Sequence, residues 1–327
     1  MRFDFPPDLF RRAHLWIALI FAAPFFVVFT TGVVLSLAPV TQALSISPGE
    51  LAPGRLAALI ARHDPDARAS GLLVDHAAGA LVLEQAGKGG TMEIDLQSGE
   101  IVARTSMWRR VVAFAKELHR RFLIHTNVPT LACGFAMLGL AALGLLMGFV
   151  RPRNNPSGWH KTIAWILLPV LVLSPLTGVL DGLHVTFGGG NARVARSESL
   201  SLVEALGRVE ARFDPATIYS VSSGRRGGFA RVFDNGELRG WTISRDAIAP
   251  APGNWPRAIH EGTWSAVMAG GLNLIASLAM LALLATGLLI WSRRMARRRA
   301  NRARGAGSNA LTRRARDLNP DFISRPL

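Results

Sequence analysis

Four apolar stretches, each about 20 residues long, alternate with polar segments along the 327-residue chain. They run over Trp16–Ala38, Leu131–Val150, Thr162–Leu183 and Val267–Trp291, each long enough for the ~30 Å hydrocarbon core of a bilayer. About 90 polar residues separate the first from the second and about 75 the third from the fourth. Only the short linker Arg151–His160 joins the middle two. In the first polar region Leu56, Leu59 and Ile60 recur at helical spacing, and alternating runs over Gly71–Asp75, Ala80–Gln85 and Thr91–Asp95 predict strands. The second region predicts a helix over Leu202–Phe213 and strands near Tyr219–Ser222, Ala230–Phe233 and Gly240–Ser244, with a tight turn at Asp234-Asn235-Gly236. The fold class read from this pattern is an α-helical integral membrane protein, with four transmembrane helices and two small α+β modules outside the lipid.

The second half of this pattern copies the first. His14 stands 17 residues before Thr31-Gly32-Val33, and His160 stands 17 before Thr177-Gly178-Val179, with Pro24 and Pro169 about midway. Ala61-Arg62-His63-Asp64-Pro65 reappears as Ala211-Arg212-Phe213-Asp214-Pro215. Gly144-Leu145-Leu146 reappears as Gly287-Leu288-Leu289, preceded by His119 and His260 respectively. The tandem duplication sets the boundaries. Residues 1–38 form the N-terminus and first span, 39–118 the first module, and 119–150 the second span. Residues 151–161 form a loop, 162–184 the third span, 185–261 the second module, 262–292 the fourth span, and 293–327 a basic tail. Repeats of equal orientation are related by a twofold axis along the membrane normal.

Net charge is +15, which by itself suggests nucleic acid, but its placement points elsewhere. Arg11 and Arg12 precede the first span, Arg151, Arg153 and Lys161 fill the linker, and Arg293, Arg294, Arg297, Arg298 and Arg299 follow the fourth. With four crossings these all fall on one side, so the termini and linker are expected in the cytoplasm and both modules in the periplasm. Such a tail touches anionic lipid and, past Arg294, its Arg, Gly and Ser content reads as disordered. The single cysteine, Cys133, excludes an internal disulfide. The first span exceeds a cleavable signal's apolar run, and its twin cannot be cleaved, so it reads as a retained anchor.

Histidines carry the candidate chemistry. Ionisable side chains in spans are costly and mark function, and neutral imidazole ligates iron. The topology yields two repeat-related pairs, His14 with His160 at the cytoplasmic ends and His119 with His260 at the periplasmic ends. A haem held by two imidazoles is one reading. The other is that His14 and His160 are interfacial residues beside Arg12, Lys161, Trp16 and Trp159, and that His119 belongs to a solvated helix. His125 and His184 are rival outer ligands without a repeat counterpart. His63 and His76 read as surface or packing residues, and Arg225-Arg226 as a solvated turn. Gly188-Gly189-Gly190, with no Lys-Ser/Thr after it, reads as a linker. No hydrolytic triad, zinc spacing, or flavin or nicotinamide fingerprint is present.

The start Arg11-Arg12-Ala13-His14-Leu15-Trp16, the Thr-Gly late in the span, the run Glu93 to Ile101, and Leu118-His119-Arg120 together resemble the PepSY-associated transmembrane family over residues 10–292. The second module departs from the pattern, with Ser244-Arg245-Asp246 in place of an Asp-x-x-x-Gly turn. The resemblance implies PepSY-like modules in a multi-pass bacterial inner-membrane protein. It further implies two b-type haems on His14, His160, His119 and His260, and transfer of electrons to a periplasmic acceptor such as a ferric siderophore. The donor is then a quinol or a cytoplasmic reductase. The alternative is a haem-free scaffold whose modules bind peptides or regulate an envelope protease.

Overall fold

The computed structural model describes residues 7–86, 90–103, 105–148, 153–187, 199–224 and 227–318. Arg151, the triglycine 188–190 and the pair 225–226 lie outside them. Each repeat opens with a helix that breaks at an equivalent point. α1 (Pro7–Ile20) yields to α2 (Ala22–Leu44) at Phe21, and α6 (Pro156–Ile166) to α7 (Leu168–Gly182) at Leu167. Pro24 and Pro169 explain the breaks, because a proline ring offers no N–H and crowds the carbonyl four residues back. The second break bends the chain by 66°.

Each repeat closes with a short helix followed by a long one: α4 (Met107–Arg121) then α5 (Val128–Leu146), and α9 (Trp255–Glu261) then α10 (Ala266–Leu318). α2, α5 and the Ala266–Gly305 part of α10 are long and apolar enough to cross a membrane. The crossing expected over Thr162–Leu183 exists only as the bent pair α6–α7, so the count is four only when that pair is one span. The tail corrects the sequence reading. Instead of losing order at Arg294, α10 runs on to Leu318, because its Arg and Ala residues favour helix and no proline interrupts before Pro320.

Helix packing obeys the duplication. α2 packs on α10 and α7 on α5, α4 lies on α2 and α9 on α7, and α1 meets α5 as α6 meets α10. Each of these contacts has its counterpart when the repeats are exchanged, as a pseudo-twofold axis requires. Glycines let the helices close. Gly134 faces Val179 between α5 and α7, and Gly270 faces Val40 and the Ser36 carbonyl between α2 and α10. Phe25, Phe29, Cys133, Leu171, Ala276 and Met280 are buried together at the centre.

The polar regions fold into one body. α3 (Arg55–His63), β1 (Gly71–Asp75), β2 (Ala80–Ala86) and β3 (Gly90–Asp95) come from the first region. α8 (Leu202–Glu210), β4 (Ile218–Gly224), β5 (Gly227–Asp234), β6 (Glu237–Ile243) and β7 (Ile248–Pro250) come from the second. The two predicted modules share a single antiparallel sheet of order β3-β2-β1-β4-β5-β6-β7. The equivalent strands β1 and β4 pair directly, Leu72 opposite Val221, so neither is left as an exposed edge. One face buries Leu56, Ile60, Leu72, Val74, Leu206, Val209, Val221 and Ile243 in a core common to both halves. Asp64 and Asp214, the aspartates of the duplicated signature, both accept amides of the chain that follows: Asp64, at the end of α3, that of Ala69, and Asp214, at the start of the 215–217 turn, that of Ala216. Asp95 takes the amides of Gln97 and Ser98 before Gly99 at φ +75°. Those bonds, the Ser98 amide foremost, hold its carboxyl below the usual range. In the second half Ser244 does the same work, accepting from the Ala247 amide.

The sheet is tied to the helices by polar contacts. Gln42, near the end of α2, donates to Asp75 at 2.6 Å and accepts the His76 amide. Arg109 of α4 pairs with Asp75 at 3.3 Å and with Glu93, both carboxylates buried. Arg231 of β5 reaches Glu261 of α9 at 3.7 Å.

Candidate site: two histidine pairs

Four histidines predicted from the duplication converge two by two. His14 of α1 and His160 of α6 have ring centres 6.4 Å apart, and His119 of α4 and His260 of α9 have ring centres 6.1 Å apart. Each pair takes one member from each repeat. Among the described residues no cluster of three or more His, Cys, Asp or Glu side chains is placed to hold a metal ion.

Helix notches seat the rings. Thr31 spends its single hydroxyl hydrogen on the Val27 carbonyl at 2.7 Å, so its oxygen can only accept from His119 Nδ1–H, 2.9 Å away. Thr286 repeats the arrangement, donating to the Ala282 carbonyl at 2.7 Å and accepting from His160 Nδ1–H at 2.9 Å. His260 Nδ1 donates to the Ser174 carbonyl at 3.1 Å, one turn before Thr177-Gly178. In the neutral form of these three rings the proton sits on Nδ1, and Nε2 carries the lone pair. A glycine lies beside each of the three. A Cβ at Gly178 would stand 2.7 Å from His260 Cε1, one at Gly287 3.6 Å from His160 Cε1, and one at Gly32 3.9 Å from His119 Cε1. Only at Gly178 does the glycine make room for the imidazole itself; a Cβ at Gly287 or Gly32 would meet its ring at ordinary contact distance. The Thr31-Gly32 and Thr177-Gly178 repeat was visible in the sequence; the seating of His119 on Thr31 was not, because the two lie 88 residues apart, nor was Thr286, 126 residues from His160, singled out.

His14 differs. Its helix partner has Leu143-Gly144 where the others have Thr-Gly. His14 Nδ1 is buried without a properly formed hydrogen bond among the described residues; its neighbour is the Leu140 carbonyl. A Cβ on Gly144 would meet nothing within 4 Å.

A cavity of about 690 Å³ surrounds the His14–His160 pair, within the size range of small-molecule sites. Phe25, Phe29, Met137, Leu140, Leu171 and Met280 make it apolar, and Arg11, Lys161 and Arg294 add cations to its wall. The two pairs sit at different depths. On α10, Ser277 lies against Gly32 at the level of His119, while Thr286 holds His160. Nine residues of helix, about 14 Å of rise, separate these levels.

The rival ligands lie elsewhere. His125 and His184 are exposed in the turns after α4 and α7, both at φ +58°. His63 bonds the Gly99 carbonyl at 2.9 Å, and His76 the Ile218 carbonyl at 2.9 Å beside Phe233, so both are packing residues of the sheet domain.

Helices of spanning length, a covering sheet and paired, partly buried histidines define a multi-pass membrane protein. A family model described as the PepSY-associated TM region matches residues 11–294. The chain belongs to that family. No curated protein matches the sequence.

Proposed function

We propose that this protein is a di-haem electron carrier of the bacterial inner membrane, with His14 and His160 holding one b-type haem and His119 and His260 another. The observation that carries the reading is the paired geometry together with its donor chemistry. Two imidazoles on one metal, with metal–nitrogen bonds of about 2.0–2.1 Å, place their ring centres about 6 Å apart, and both pairs have that spacing. Histidines kept merely for packing would hydrogen-bond each other or their surroundings through both nitrogens. Here three Nδ1–H groups are satisfied by helix oxygens, and Nε2 remains for coordination. Around His14 and His160 the cavity wall is mostly apolar, and Arg11, Lys161 and Arg294 complement the carboxylates that a haem carries. At the other pair the fit rests on ring spacing and donor chemistry. Haem supplies one-electron redox chemistry, and the chain supplies ligation, burial and orientation.

In this reading the electrons come from a quinol or a cytoplasmic reductase and pass to a periplasmic acceptor, with a ferric siderophore the leading candidate. Purified protein is expected to contain two haems per chain by pyridine haemochrome assay, with low-spin spectra. His14→Ala and His160→Ala should each remove the same single haem, and His119→Ala the other. Colourless protein from haem-replete cells would favour the scaffold alternative. Reduction of ferric siderophores by the loaded protein, measured against other periplasmic acceptors, tests the substrate.

A further inference from the structure

We infer that His14 is the one exchangeable imidazole of the four, so the basic-end pair, and not the sheet-end pair, can open a coordination position to a small exogenous ligand. This rests on the haem reading above. Three histidines are held by a bond from Nδ1 to a helix oxygen. His14 lacks that hold. The hydroxyl that Thr286 offers His160 is replaced by Leu143 on the repeat-related helix, and Nδ1, beside the Leu140 carbonyl, is buried without a well-formed hydrogen bond. A hydrogen-bonded partner on Nδ1 orients a ligating imidazole and raises its basicity, and losing such a partner costs roughly 10–100-fold in metal affinity. His14 is therefore the weaker ligand, and a competitor that needs one open position on reduced iron will displace it first.

Carbon monoxide is the probe. Added to dithionite-reduced full-length protein, it should bind one of two haems, read as a carbonyl Soret band of half the total amplitude. Leu143→Thr, which supplies the missing hydroxyl, should slow that binding by about tenfold. Thr286→Val should act oppositely and loosen His160 as well, raising the rate while the sheet-end haem stays unreactive. Binding of CO to neither haem, or to the one lost in His119→Ala, would overturn the inference and leave the di-haem reading intact. Equal rates in the wild type and both variants would also overturn it. Absence of haem would end the underlying reading instead.

Discussion

At Gly178 a methyl group would stand 2.7 Å from His260 Cε1, whose ring is bonded to the Ser174 carbonyl one turn earlier on the same helix. Gly178→Ala is therefore expected to displace His260 and cut haem content from two toward one. Gly207→Ala, on α8 of the sheet domain with nothing within 4 Å, should leave both haems in place. A haemochrome assay on the two variants side by side checks the contrast. His76 gives a second prediction at this scale. Burial pushes its pKa below the ordinary 6.5, against smaller opposing effects of the Ile218 carbonyl and Asp75. The folded state binds the proton less well than the unfolded state, so its contribution is complete above about pH 6.5 and is lost as pH falls below it. Thermal unfolding of the sheet domain should shift downward between pH 7 and 5, and His76→Gln should flatten that dependence.

Among the elements, α4 does two jobs. Its last turn presents His119 to Thr31, while its first turn places Arg109 against Asp75 and Glu93 of the sheet. Ser106 caps it by accepting the Arg109 amide. Because Asp75 and Glu93 are buried, Arg109→Met leaves two carboxylates without their cation, an uncompensated burial that costs about 3–5 kcal/mol. Proteolysis of the sheet domain should accelerate in this variant, and Asp75→Asn/Glu93→Gln added to it should restore part of the resistance. The broken helices also belong to this scale. Prolines near mid-span were plain in the sequence, and they account for the breaks at Phe21 and Leu167. The 66° bend of α6–α7 was not, because local sequence sets where a helix breaks and the neighbours α5, α9 and α10 set where its second half goes.

For the molecule as a whole, the pseudo-twofold axis governs everything that matters. Each histidine pair spans both repeats, β1 joins β4, and the sheet core draws on both halves. Residues 1–150 and 151–327 expressed separately should each bind no haem, while co-expression should recover it. Haem bound by one half alone would contradict the cross-repeat pairing.

Much of this was legible in the chain. Apolar runs of about 20 residues, arginines clustered beside their ends, and a duplicated His–Thr-Gly register are local patterns, written in composition and spacing, and they named four histidines that do come together. Other features depended on contacts between distant segments. Merging two modules into one seven-stranded sheet requires strand edges 150 residues apart in sequence to meet. Seating each imidazole against a hydroxyl or carbonyl on another helix requires the helices already packed. So does the inequality at His14, where a leucine replaces a threonine on a different helix. Periodicity describes what one segment prefers; only packing chooses which segment it prefers it with.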